Sequence, residues 1–213
     1  MVFLIARKKK LMVNKIKLGL FLLCTVLLIS SCNNSKKISS ASYFRNEKKL
    51  DSIQQSYNTL YGHVPFSLEF TDNAFNEIAI GIATDSIKYI YQFGINEKRL
   101  SDTLQKYDLN ITGVKHLITQ MKSIHCTWIN NLAYFENDKK KMLTYISLRP
   151  VMANLPFTNS KYFIITYFKQ PQYFDSEGRL LAGRKLRKLR QINNETFRRI
   201  NDKVCYTVSE KFR

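Results

Sequence analysis

Three strand signals that follow one another late in the chain constrain this sequence more than any other feature in it. Trp128 to Phe135 and Met142 to Leu148 are runs rich in β-branched, aromatic and other apolar residues, separated by a polar stretch from Glu136 to Lys141. Tyr162 to Phe168 (YFIITYF) is apolar on both faces and reads as a central strand. Strands joined by short connections pair antiparallel, because a parallel pair needs a long crossover between its members. This part of the chain is therefore expected to form a meander.

The same reading extends towards the amino terminus. After Pro65, Phe66, Leu68 and Phe70 alternate with polar residues, the period of a half-buried strand. Ala74 to Ala83 (AFNEIAIGIA) fits a strand and a helix equally, and Ile87 to Phe93 (IKYIYQF), apolar on both faces, reads as another central strand. Phe44, Leu50, Ile53, Tyr57 and Leu60 form one helical stripe that ends at Gly62. Asn96 and Thr112 are placed to cap two further helices, the second burying Val114, Leu117, Ile118, Met121 and Ile124. In the tail from Arg179 to Arg213, Leu186, Leu189 and Ile192 sit three apart, and Phe197, Ile200, Val204 and Val208 continue at three and four. That spacing predicts one or two helices with arginines along the outer face. No internal repeat and no Gly-rich or Pro-rich linker divides the chain. The expected fold is a single α+β domain over 42–213, an antiparallel sheet of about five strands packed with helices. The order of elements fits a profilin-like or roadblock-like layout closed by a basic helical segment.

Leu18 to Ile29 is a 12-residue apolar run, too short for a hydrocarbon core that needs roughly 20 helical residues. With Lys15 and Lys17 before it and Ser30 and Ser31 after it, the run reads as the core of an export signal. Ile29-Ser30-Ser31-Cys32 resembles the lipobox of bacterial lipoproteins, the type II signal peptide. The resemblance implies that residues 1–31 are removed, that the Cys32 thiol is diacylated and that the new amino terminus is acylated. Several chains are needed because one alone binds a membrane only marginally. Met1 to Leu11 adds a second apolar patch and four positive charges before a signal that is complete from Met12. Translation is therefore expected to start at Met12, a long basic leader being the alternative. Residues 32–41, rich in Ser, Asn and Lys, read as a flexible tether. Neither an aspartate, the inner-membrane retention signal, nor the acidic cluster that marks surface display in Bacteroidota-like organisms follows Cys32. The resemblance thus implies the periplasmic leaflet of the outer membrane.

The 213 residues carry a net charge of +18, and losing the six basic residues of 1–31 leaves +12. Export excludes nucleic acid as a partner, so anionic lipid head groups, anionic envelope polymers or an acidic protein face remain. Arg184-Lys185-Leu186-Arg187-Lys188-Leu189-Arg190 suits an amphipathic helix docking on such a surface, and equally a solvated helix face whose leucines belong to the core. Cys126 and Cys205 remain besides Cys32. They either pair in an oxidising compartment, closing a loop of about 80 residues that contributes roughly 4.5 kcal/mol, or lie apart as buried thiols.

Chemistry is harder to find. His63, His116 and His125 lack metal-ligand spacing, so neither a metal nor another cofactor is expected. His125 and Cys126, as neighbours on a helix, would point about 100° apart, and no nucleophile elbow or Gly-rich phosphate loop is present. The expected function is that of a non-enzymatic binding or accessory lipoprotein of the envelope. It would meet an acidic envelope protein or anionic polymer through Arg184, Lys185, Arg187, Lys188 and Arg190. A tethered hydrolase using carboxylates that only the fold assembles, or a structural spacer, is the alternative.

Overall fold

A computed structural model of the chain describes residues 43–62, 64–84, 87–136, 138–149, 161–183 and 188–211. The export signal with its Met12 start, the tether and Cys32 lie outside them, as do His63, Arg184, Lys185 and Arg187.

Helix α1 runs over 43–61 and buries Tyr43, Leu50, Ile53 and Tyr57. These positions fall on one stripe at helical spacing. Phe44, expected in that stripe, is instead 61% exposed, because the adjacent Tyr43 fills the inward position. The chain leaves the helix at Gly62, whose N–H donates to the Asn58 carbonyl at 3.3 Å.

Strand β1 (Phe66–Phe70) turns back into β2 (Glu77–Ala83) through a loop that Asp72 organises. Its Oδ1 accepts the Asn76 and Glu77 N–H groups at 2.9 and 3.0 Å. The ambiguous AFNEIAIGIA stretch is thereby resolved as strand, with Ile78, Ile80 and Ile82 facing the helices. Small residues alternate with them. Gly81 is required to be small, since a Cβ there would lie 2.6 Å from Ser67 Oγ.

Strand β3 (Lys88–Gly94) follows, then α2 (Lys98–Lys106) and α3 (Ile111–Ser123). The caps lie near the expected residues but not on them. Glu97, not Asn96, occupies the first, with its carboxylate accepting from Gly94 N–H. Asn110, not Thr112, caps α3 by accepting from Gly113 N–H at 2.8 Å, the shape an Asn side chain makes readily. Val114, Leu117, Ile118 and Met121 form the buried face of α3.

Strands β4 (Cys126–Glu136), β5 (Lys139–Leu148) and β6 (Tyr162–Phe168) form the expected meander, and β6 lies in the interior of the sheet. The tail departs from expectation. It is built from β7 (Gln191–Ile192), β8 (Glu195–Thr196), β9 (Arg198–Arg199) and β10 (Val204–Ser209), with no helix among the described residues. Asn193 and Asn194 both take positive φ, 51° and 64°, which makes the two-residue turn that joins β7 to β8. The spacing of Val204 and Val208 misled because four is an even number. Two residues four apart share a face of a strand as surely as a face of a helix.

One antiparallel sheet of eight strands results, in the order β3-β2-β1-β4-β5-β6-β10-β9. The expected α+β domain is present, but its sheet has eight strands rather than about five, because the ambiguous Ala74 to Ala83 stretch supplies one and the tail adds two. Strand β3 is not central: it is an edge, and Ile90 on it is 66% exposed. The three helices pack on one face over Leu68, Ile80, Ile129, Ile146 and Ile165. They are tied down by Tyr57, whose hydroxyl donates to the Phe66 carbonyl, and by Asn58, whose Oδ1 accepts from Asn131 at 3.2 Å and Thr144 at 3.3 Å. A second core occupies the opposite face, where Leu180, Ile192 and Phe197 of the tail cover Trp128, Leu143, Tyr145, Ile164 and Phe168.

Candidate functional site

The tail does not lie flat over the far end of the β4–β5 hairpin. Between the two is a cleft of about 440 Å³, with Leu132, Tyr134, Phe135 and Leu143 on the hairpin side and Ala182, Arg190, Gln191, Ile192 and Asn193 on the tail side. This size is typical of ligand sites, and polar and apolar groups share the lining.

Arg190 is the centre of its polar wall. The side chain is only 8% exposed, and the guanidinium lies over Tyr134 with its carbon 4.7 Å from the ring centroid. Nη1 donates to Gln172 Oε1 at 2.9 Å, and Nη2 donates to the Ala182 carbonyl at 2.8 Å and to Glu136 Oε1 at 3.3 Å. Lys141 completes the network: its ammonium pairs with Glu136 and donates to Gln170 Oε1 at 2.6 Å. The Lys141 hydrogen bond, aided by the two positive charges, holds the Glu136 carboxyl below the usual carboxylate range. Two cations share one carboxylate, so the wall carries a net positive charge in a half-buried setting, where charge acts more strongly than in bulk water.

The expected basic face is thus rearranged. Lys188 is exposed, whereas Arg190 turns inward and is consumed largely by internal bonds. The physical reason is the backbone: a tail of strands and turns does not present Lys188 and Arg190 along one helical stripe.

The two cysteines are free and buried, and they belong to different cores. Cys126 faces the helices and Cys205 faces the tail, on strands separated by β5 and β6. A disulfide between them is therefore not formed. Burial pushes the Cys205 thiol up to about 12 and the Cys126 thiol higher still. His125 is exposed and takes a φ of 57° at the end of α3, with its ring against Phe75, so it does not activate the wholly buried Cys126.

Among the described residues, four carboxyl groups are displaced from their ordinary values, Asp72, Glu97, Glu136 and Asp175, all downward. Among the described residues no group of three or more His, Cys, Asp or Glu could hold a metal, and no helix is long and apolar enough to cross a membrane. The residues lining the cleft include no Ser, Cys, His, Asp or Glu. What the cleft offers is an apolar floor, the ring of Tyr134, the amide groups of Gln191 and Asn193, and the guanidinium of Arg190 held in its wall by internal bonds.

Glu136, Tyr134 and Gln172 were not legible as site residues, because they meet Arg190 only through the fold. Asn193-Asn194 was a usable signal for a hairpin in place of a helix. Comparison with known proteins yields no relatives: no family model, no curated protein and no solved structure matches this chain.

Proposed function

We propose that this chain is an envelope lipoprotein, acylated at Cys32 and held on the periplasmic leaflet of the outer membrane. In this reading it is a non-enzymatic binding or accessory component. The observation that carries the binding half is the cleft beside Arg190, lined by apolar side chains together with the polar groups of Arg190, Gln191 and Asn193. The target is an anionic envelope polymer or an acidic protein segment, met at the cleft rather than along a basic helix. A tethered hydrolase would need a carboxylic acid raised in pKa to serve as general acid, and the displaced carboxyls here run the other way. One helical layer on one face of an antiparallel sheet is what a profilin-like or roadblock-like layout would contribute to this reading. The tail-covered second face is the addition that makes the cleft.

The test is in-cell crosslinking of the tagged full chain with Cys32 intact, followed by mass spectrometry of what is retained, with Gln191→Glu run in parallel. That substitution sets a negative charge at the rim of the cleft. An anionic partner retained by the parent and lost in Gln191→Glu is the expected outcome; equal retention by both removes the cleft from the proposal. Labelling with a fatty-acid analogue, absent in Cys32→Ser, tests the anchor separately.

A further inference from the structure

Strand β3 has the sequence of an interior strand and the position of an outer one. Its inner side pairs with β2 over seven unbroken register positions, Lys88↔Ala83 through Gly94↔Glu77. No described residue pairs with its outer side. Ile87 and Ile90 stand 55% and 66% exposed, and Tyr89 is exposed as well.

Natural sheets blunt such edges with prolines, bulges, charges or very short strands. The opposite edge does so: β9 is two residues long, and both are arginines. Strand β3 has no proline and no bulge, and its one charge, Lys88, sits at its end.

The backbone dictates what can add to this edge. Ile95 N–H donates to the Asn76 carbonyl, and the Ile87 carbonyl accepts from Thr84 N–H. The odd-numbered residues of β3 therefore bond inward, because hydrogen-bonding direction alternates along an antiparallel strand. The amides of Lys88, Ile90, Gln92 and Gly94 point away from the sheet.

We propose that β3 pairs antiparallel with β3 of a second copy of this chain, about a two-fold axis at Tyr91, which merges two sheets into one. Tyr91 is the midpoint of Lys88–Gly94, so this register alone pairs the whole strand with itself. It satisfies the central outward amides in reciprocal pairs, with Ile90 facing Gln92 of the partner subunit; Lys88 faces Gly94 of the partner subunit at the strand end, where the Gly94 N–H and carbonyl are already bonded to Glu97. No lysine meets a lysine. On the helix side the rings of Tyr89, Tyr91 and Phe93 already form a ladder, with centroids 6.3 and 6.1 Å apart and interplanar angles of 21° and 11°. The pairing sets Tyr89 against Phe93 of the partner subunit and Tyr91 against its own copy, so the ladder continues across the axis. Aromatic cross-strand pairs of this kind stabilise sheets.

The test uses the full-length chain in detergent. Ile90→Cys and Gln92→Cys, on two differently tagged copies, occupy a hydrogen-bonded pair about 5.5 Å apart at Cα, within disulfide reach. Mixing the two variants is expected to give a disulfide-linked heterodimer. Each alone should give little, because Ile90 and its own copy are about 9 Å apart in this register. Ile90→Pro provides the complementary arm. It removes an outward N–H that makes no bond to β2, so the sheet survives, as circular dichroism should show, while sedimentation velocity shifts from dimer to monomer. A parent chain that sediments as a monomer overturns the proposal. So does a dimer that survives Ile90→Pro, or a disulfide homodimer of Ile90→Cys alone that outweighs the mixed product. Capture in cells of another protein by the Ile90→Cys thiol, with no second copy of this chain, overturns it too.

Discussion

The guanidinium of Arg190 lies 4.7 Å from the centroid of the Tyr134 ring, so a charge from the tail is held against an aromatic face of β4. The same group bonds Gln172, Ala182 and Glu136. One side chain thus ties the tail to the hairpin and shapes the wall of the cleft.

Replacing it should be costly. Arg190→Ala removes the stack and leaves the Gln172 side chain and the Ala182 carbonyl without this partner. The expected loss is about 2–4 kcal/mol of unfolding free energy, read as a lower urea midpoint. Arg190→Lys should recover only a small part, since the point charge of an ammonium lacks the planar fork that reaches these acceptors from two nitrogens while lying on the Tyr134 ring. Full recovery by lysine would mean that charge alone matters here.

Acid should release the same contact. The folded-state pKa of Glu136 is depressed, chiefly by the Lys141 hydrogen bond. Its stabilising contribution is therefore complete above the unfolded value of about 4.3 and is lost as pH falls through the lower, folded value. Parent and Glu136→Gln should differ in urea midpoint near neutral pH and converge in strong acid. A difference that stays constant over that range would contradict the assignment.

The Asn193-Asn194 turn offers a test that touches no side-chain contact. Both residues hold positive φ. Asn194→Gly should leave stability unchanged or slightly raised, whereas Asn194→Val should lower it by about 1 kcal/mol or more, because a β-branched residue resists the left-handed region. Thermal melts of the three chains decide it.

Burial keeps both thiols protonated and covered, so Cys126 and Cys205 should resist a thiol reagent near neutral pH in the native chain and react promptly in denaturant. Peptide mapping of the modified sites separates them from Cys24 and Cys32. Rapid native labelling at either site would show that its core opens readily.

How far the residues announced this fold depends on the kind of signal. Strand β6 was legible because YFIITYF is apolar on both faces over a short length, and α3 because Val114, Leu117, Ile118 and Met121 leave only one helical face to bury. IKYIYQF carried the same signal as β6 and lies at an edge, since two-faced apolarity reports what a strand could pair with and not what this one chain supplies. Ile200, Val204 and Val208 in the tail were misread because even spacings satisfy strand and helix alike. The inward turn of Arg190 had no local signal, for Glu136 stands 54 residues away and Tyr134 further still.

The helices and the tail lie on opposite faces of the sheet and build their cores from different residues. Sites that share no partners add their effects nearly independently. Leu132, Gln191 and Asn193 line the cleft, and none of them belongs to the buried residues beneath the helices. If the cleft binds as proposed, descendants of this chain can therefore rewrite what it accepts without a matching change in the helical layer, which leaves recognition free to drift while the scaffold is inherited intact.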